Sequence, residues 1–560
     1  MNKEALSEDT RTQYQEAVDN AAAAHRRKDW QAALPLWRKA RALIDTLPGP
    51  RLGEGQALEN LGRKEDARAV FEDAALRWPD HFGFSAGLAR ANEALGFQER
   101  ARLLWESVAG KWPDRHEGHL GIVRTALNHD DDRHIFDLAK AAMYRWPDVR
   151  EAVHLASEAA QNALTAREIL NFWQEASESF PSNLAVSIAY TEALYFFESP
   201  EEAIGIALNC LHGASAGSDP VLCRQLALRT SAWLTRTGRV DDALSAVDVG
   251  LNHLPSDEQL LLTKGEILAA QDLQDDAEAA FREVIRLSPD NLHAYLGLAA
   301  IAASRANPFA AAEFAEAGAG SRVSELVSSK IDLKRPVVRG ETSEIQESPP
   351  GTSGTLVVIL GGAYRKSLGM PIELMDRYFA ARNISALYVR DGAIRTITGV
   401  SGGSSPSQAL EERVREAQKK LGEKRLYIVG VSAGGFEAIR LGLRCTPDGV
   451  IGISAPTNLT QSFLDTVEDK RARLLVKRFN RLYSDYELDM ALPLRQHPNP
   501  PPIHLIFPVE NYGDRTQAEY LGAWPNVTLH PITGWKGHNV HEKLIATGEL
   551  FGFFDKLISD

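Results

Sequence analysis

The chain has 560 residues, with 62 Lys and Arg against 75 Asp and Glu, for a net charge of −13 at pH 7. That balance disfavours extended, non-specific contact with nucleic acid. Its 44% hydrophobic and 24% charged residues are those of an ordinary soluble protein, and the scattered cysteines Cys210, Cys223 and Cys445 form neither a disulfide framework nor a metal-ligand pattern. The polar first residues lack the apolar core of a signal peptide, and no stretch is long and apolar enough to span a bilayer. The expectation is a soluble protein of a reducing compartment, most simply cytoplasmic, with no metal and no organic cofactor.

From about residue 12 to 320 the chain is rich in Ala, Leu and Glu at helical spacing, broken by short turns. Trp78-Pro79-Asp80, Trp112-Pro113-Asp114, Trp146-Pro147-Asp148 and Phe180-Pro181-Ser182 carry prolines 34 residues apart, and Pro255 and Pro289 repeat the interval. A period of this length predicts a helical solenoid. Two units carry the whole pattern: Gly55, Ala67, Phe71 and Pro79, then Gly265, Ala277, Phe281 and Pro289. Trp105 and Trp173 stand for the phenylalanine elsewhere, and Ala89 for the glycine. The stretch from Asn128 to His134 blurs one unit, and Pro181 to Pro255 has to hold two of unequal length. The small residue lets two helices approach, the aromatic fills the gap against the next unit, and proline ends the helix. These residues resemble the tetratricopeptide repeat (TPR) family. The resemblance implies an all-α array whose concave surface binds a protein or peptide partner. The Trp-Pro-Asp words themselves are read as turn and packing.

Residues 321–353 read as a linker, with Ser348-Pro349-Pro350-Gly351 marking a boundary near 350. Pro336-Val337-Val338-Arg339 is expected to be a lone strand. In the last part, 354–560, short apolar runs alternate with helical stretches. The expected strands are 355–360, 386–389, 425–429, 450–454, 503–509 and 527–531. This alternation predicts an α/β domain with a mostly parallel sheet and helices on both faces.

Within that domain, Gly430-Val431-Ser432-Ala433-Gly434 falls where a strand should end and a helix begin. Such a turn suits a strained, exposed serine, and the helix N-terminus favours negative charge on a bound substrate. The region from about 355 to 560 resembles the α/β-hydrolase family, whose triad runs Ser, acid, His. The resemblance implies Ser432 as nucleophile, Asp514 as acid with Glu510 in reserve, and His538 as base. Asp514 is preferred because Gly513 before it suits an exposed turn. His538 follows Gly537 and precedes a helix expected to carry His541, whereas His504 and His530 lie within strands. The oxyanion hole is expected from Gly362 and Ala363, after the first long strand, together with Ala433. Arg390, Asp391 and Tyr364 are candidate substrate-binding residues.

At about 200 residues the domain is short for the family and is expected to lack the first strands of a full sheet. A helical, lid-like insertion at about 458–500 carries Lys470, Arg471, Arg473, Lys477, Arg478 and Arg481. A solvated charged face is favoured over an anion-binding lid. The resulting expectation is a carboxylic-ester-type serine hydrolase, acting on an acyl- or ester-bearing substrate and directed by its repeats. Two alternatives stay open. One is a non-catalytic TPR scaffold or adaptor with a hydrolase-like domain. The other is an acyltransferase or deacylase acting on a glycan or carrier.

Overall fold

The computed structural model describes residues 8–127, 131–215, 217–338, 345–361, 368–390, 406–422, 424–469 and 471–558. The chain divides into two compact units, Met1–Ala189 and Tyr190–Asp560.

In the first unit, consecutive helices pack pairwise, among them Trp30–Leu43, Pro48–Asn60, Lys64–Arg77, Phe82–Ala94 and Gln98–Lys111. The residue pattern explains the pairing. Phe71 is fully buried beside Gly55 and Gly87, where an added Cβ would come within 2.5 and 2.8 Å of its ring tip. Trp105 occupies the same place in the next seam, in a cluster with Ala86, Ala89 and Val108. Each Trp of the Trp-Pro-Asp words closes a helix: the Trp78 N–H donates to Ala74 O, and the Trp112 N–H to Val108 O, both at 2.9 Å. The proline that follows cannot continue the ladder. Trp112 also stacks edge-on against Phe82, with centroids 5.5 Å apart. These words therefore serve as turn and packing.

In the second unit the helical pairs continue to Pro308–Val327. Between Pro181 and Pro255 the described residues form the helices Leu184–Phe197, Pro200–His212, Pro220–Arg236 and Val240–His253, of which Pro220–Arg236, with 17 residues, packs on Val240–His253. Phe281 lies between Gly265 and Gly297, as Phe71 does between its own glycines.

A seven-stranded mixed sheet follows, in the order β1-β3-β2-β4-β5-β6-β7. The strands are β1 (Ile345–Glu347), β2 (Thr355–Leu360), β3 (Ser385–Val389), β4 (Arg425–Val431), β5 (Gly449–Ile453), β6 (Ile503–Pro508) and β7 (Val527–Ile532). Among the described strands, only β1 runs antiparallel, against β3. One expected strand is corrected. Pro336–Val338 forms no strand, because the Val338 N–H donates at 2.8 Å to the buried carboxylate of Asp376 instead of a strand edge. Arg335 grips the same carboxylate with two bonds of 2.7 and 2.8 Å, and the Tyr388 hydroxyl donates to it at 2.7 Å. The edge strand is β1 instead.

Alternate residues of β2 face opposite cores, as the period of two requires. Leu356, Val358 and Leu360 join Phe436, Ile439 and Leu505 on one face. Val357 and Ile359 join Tyr378, Phe551 and Phe554 on the other, in a cluster that also contains Leu296, Ala315, Val323 and Leu326 of the last helical pair. The protein is thus a TPR-like helical region with a small mixed-sheet domain at its C-terminal end.

Candidate functional site

Parallel strands place their C-terminal ends side by side, and that edge is where an open α/β sheet gathers its ligands. Leu360 of β2 is in register with Gly430 of β4, and β4 with β5 and then β6. Ser432 follows β4 at once, and the helix Ala433–Cys445 starts at the next residue. Its backbone is left-handed, with φ 53° and ψ −124°, a conformation that an L residue holds only when the surroundings enforce it. They do so by close main-chain contact. A Cβ on Gly434 would lie 2.5 Å from the Gly361 carbonyl and 2.6 Å from that of Leu360, and one on Gly430 would collide with the Gly434 carbonyl. The Ser432 N–H is tied to Ile453 O at 2.9 Å.

The other two residues come from the ends of β6 and β7. Asp514 lies in the first turn of the helix Tyr512–Gly522, not in a loop, and its side chain is 2% exposed. His538 lies in the loop before the helix Val540–Ala546. Its Nδ1 is 2.8 and 2.9 Å from the two Asp514 carboxylate oxygens, and its Nε2 is 2.8 Å from Ser432 Oγ. A carboxylate oxygen accepts, so with Nδ1 donating to Asp514, Nε2 is the nitrogen left to accept from the serine hydroxyl. The order of groups is nucleophile, base, acid.

Neighbouring residues hold this chain in place. Asn511 caps the Asp514 helix by accepting the Asp514 N–H at 3.0 Å, and its amide donates to Lys536 O at 3.2 Å in the His538 loop. Glu510, the reserve acid, does not face His538; its carboxylate accepts the Gly534 N–H at 2.7 Å, and these backbone bonds pull its carboxyl below the ordinary value. Gln517, one turn beyond Asp514, accepts the N–H groups of Thr457 and Asn458 at 2.8 and 2.9 Å and locks the helix to the loop after β5. After His538, Asn539 donates to Glu542, whose other oxygen is 3.2 Å from His293 Nε2. Burial would raise the Glu542 carboxyl, but the bonds from His293 and Asn539 prevail and hold it down at about 2.

The insertion reaches the same place. Its helices are Gln461–Thr466, Arg473–Leu482, Asp485–Leu488 and Ala491–Gln496. Arg471 stays exposed, as the solvated-face reading expects, and it also donates from Nη1 to Asp514 at 2.6 Å, while its Nε and Nη2 bond Asp469 at 2.8 and 2.7 Å. Burial opposes the charge on Arg471, but the two carboxylates hold the guanidinium above its ordinary value. Arg478 donates to the carbonyls of Tyr195 and Phe196 at 3.3 and 2.8 Å, and Arg481 to that of Phe197 at 3.2 Å. These are the last carbonyls of a helix, where cations are favoured.

The remaining candidates divide in two. Ala433 begins the helix after Ser432, where first-turn amides lack intrahelical acceptors. Arg390 is buried just beyond β3. Gly362, Ala363, Tyr364, Asp391 and Lys470 lie outside the described residues. His541 is on the helix Val540–Ala546, and His504 and His530 pair with each other across β6 and β7 at 3.2 Å. Asp469, Asn511, Gln517, Asn539 and Glu542 carry no sequence signal, because each acts through a partner that only the fold brings near. Among the described residues, no helix is long and apolar enough to cross a membrane.

No family model matches the chain. A stretch of 138 residues, 24% of the chain, is 28% identical to the human protein O-mannosyl-transferase TMTC1, and it spans 15% of that protein's length. Among solved structures, the chain is similar to a tetratricopeptide repeat protein from Parabacteroides merdae, at 11% identity and a TM-score of 0.28 over 50% of this chain and 94% of that one. It is also similar to a thermophilic TPR protein from Thermus thermophilus, at 19% identity and a TM-score of 0.27 over 32% and 98% of the two chains. MamA from Desulfovibrio magneticus gives 14% identity and a TM-score of 0.27 over 34% and 96%. The architecture given above rests on the helix pairs and their seams, not on these scores.

Proposed function

We propose that the chain is a serine hydrolase of the esterase type, built on an α/β-hydrolase-like domain and directed to a protein partner or a large substrate by its repeats. The observation that supports this reading is the unbroken hydrogen-bond chain from Ser432 Oγ through His538 to Asp514, with the serine on a strained strand-to-helix turn. In the proposed reaction, His538 Nε2 takes the Ser432 proton as Oγ attacks an ester carbonyl, and then returns it to the leaving alcohol. Asp514 fixes the imidazole tautomer and stabilises the imidazolium. The Ala433 N–H is one donor to the oxyanion, and Gly362 and Ala363 are proposed to supply the second. Water then attacks the acyl-enzyme, activated by His538.

The test is hydrolysis of short p-nitrophenyl esters, with fluorophosphonate labelling, by the wild type and Ser432→Ala. The variant is expected to lose the rate by roughly 10⁴-fold or more and all labelling, with its thermal stability kept. A wild type that neither labels at Ser432 nor hydrolyses any ester would sink the reading.

A second reading is favoured by the likeness of part of the chain to a protein O-mannosyl-transferase. In it the repeats are the working part, and the sheet domain is either a non-catalytic platform or passes an acyl group to a glycan hydroxyl instead of water. Product analysis with and without a sugar acceptor separates these outcomes. A new acyl-sugar that depends on Ser432 marks transfer, and partner binding that survives Ser432→Ala without any turnover marks a scaffold.

A further inference from the structure

The geometry points to Arg471, held by Asp469, as a positioning residue that fixes the Asp514 carboxylate for His538. This rests on the reading of Ser432, His538 and Asp514 as an acyl-transfer triad. The two Asp514 oxygens both lie within 2.9 Å of His538 Nδ1, so the imidazole by itself does not choose between them. Arg471 breaks that symmetry by donating to Oδ1 and not to Oδ2, at 2.6 Å, with the same Nη1 lying 3.4 Å from His538 Nδ1. A guanidinium with its remaining donors free would swing, but the nearly buried Asp469 accepts from Nε and Nη2 at 2.8 and 2.7 Å and locks the planar fork.

Two backbone features support a built clamp. Glu468 and Ala472, close on either side, are both left-handed, with φ of 54° and 51°. Strain of this kind persists where the surroundings over-determine it. Opposite them, Gly513 leaves the space in which the guanidinium lies: a Cβ there would be 2.6 Å from Arg471 Cζ. Gly513 is in the first turn of a helix and is not among the positive-φ glycines, so its backbone accepts any residue. The glycine thus serves the arginine and not a turn.

Gly513 makes the idea separable from folding. Gly513→Ala improves helix propensity while pushing Arg471 off Asp514. In the 560-residue chain, Arg471→Ala is expected to lower kcat about 10- to 100-fold, the range in which residues that orient a reacting group act, with KM within about twofold. Gly513→Ala is expected to lower kcat in the same way with its Tm kept, and to do nothing further in the Arg471→Ala background, because both remove one contact. Arg471→Lys, which keeps a donor but cannot span two carboxylates, is expected to fall between wild type and Arg471→Ala. An unchanged kcat in Arg471→Ala, a loss confined to KM, or a Gly513→Ala effect of equal size in both backgrounds would overturn the assignment.

A second readout does not need turnover. The His538 Nδ1 proton held against Asp514 should give a downfield proton resonance that is absent from His538→Ala, broadened in Arg471→Ala and Gly513→Ala, and intact in Ser432→Ala. If that resonance is the same in wild type, Arg471→Ala and Gly513→Ala, the positioning role falls even where ester hydrolysis is confirmed. If it responds as expected while no ester is cleaved, the role stands and the hydrolase reading is what fails.

Discussion

In the repeats, Gly55, Gly87, Gly265 and Gly297 make room for a phenylalanine ring. At the strand-to-helix turn that carries Ser432, Gly430 and Gly434 make room for carbonyl groups. A ring can tilt or shift when its neighbour grows, and the chain shows this tolerance itself: Ala89 takes the glycine's place in the seam filled by Trp105. A carbonyl at the end of a strand has no such freedom. Gly361, whose oxygen faces Gly434, is anchored through its own N–H to Val389 O at 2.8 Å. The repeats spread one packing solution over many copies, whereas the sheet edge concentrates a single solution in a few atoms.

The sharpest way to break this contrast is Gly434→Ala. Its methyl would meet two main-chain oxygens, so ester hydrolysis is expected to drop about 10³-fold, the scale of a lost oxyanion contact, with stability down by about 3 kcal/mol, the cost of overpacking. Normal activity in this variant would show that the turn at Ser432 yields as the seams do. Phe281→Ala should destabilise by about 3–5 kcal/mol, read by urea unfolding, with kcat within twofold. A large fall in kcat would mean that the seam and the site are one unit. Gly55→Ala, against a ring, should cost about 1–3 kcal/mol and leave activity intact.

A pH-dependent effect concerns Glu542, whose carboxyl lies at about 2 against an ordinary 4.5. A depressed carboxyl stabilises the fold above its unfolded value, and that contribution is lost as pH falls towards 2. Glu542→Gln should therefore flatten the decline of Tm between about pH 4.5 and 2, and an unaltered slope would remove Glu542 from the account.

Much of this was legible in the sequence. The 34-residue beat located the aromatic seams because each repeat states the same packing rule again. The six long strands announced themselves as apolar runs, and Ser432, Asp514 and His538 stood out through the resemblance to the α/β-hydrolase family. What stayed hidden depended on tertiary partners. Nothing in Pro336-Val337-Val338 shows that its N–H would turn to Asp376. Arg471 looked like one of six cations on a wet face, since its carboxylate partner Asp514 is 43 residues away. Gly513 looked like a turn glycine because a helix first turn and a loop carry the same residues.

The last helical pair has a consequence for any attempt to move the sheet domain into another protein. The helical segment Pro308–Val327, kinked at Gly320, packs on both Ile372–Ala381 and Val540–Ala546, and its apolar residues complete the cluster around Tyr378, Phe551 and Phe554. A transplanted piece cut at the prolines near 350 would leave that face bare to water and the helix after His538 without its brace. The smallest portable unit begins before Leu292, so recombination between such chains should exchange the final repeat together with the sheet.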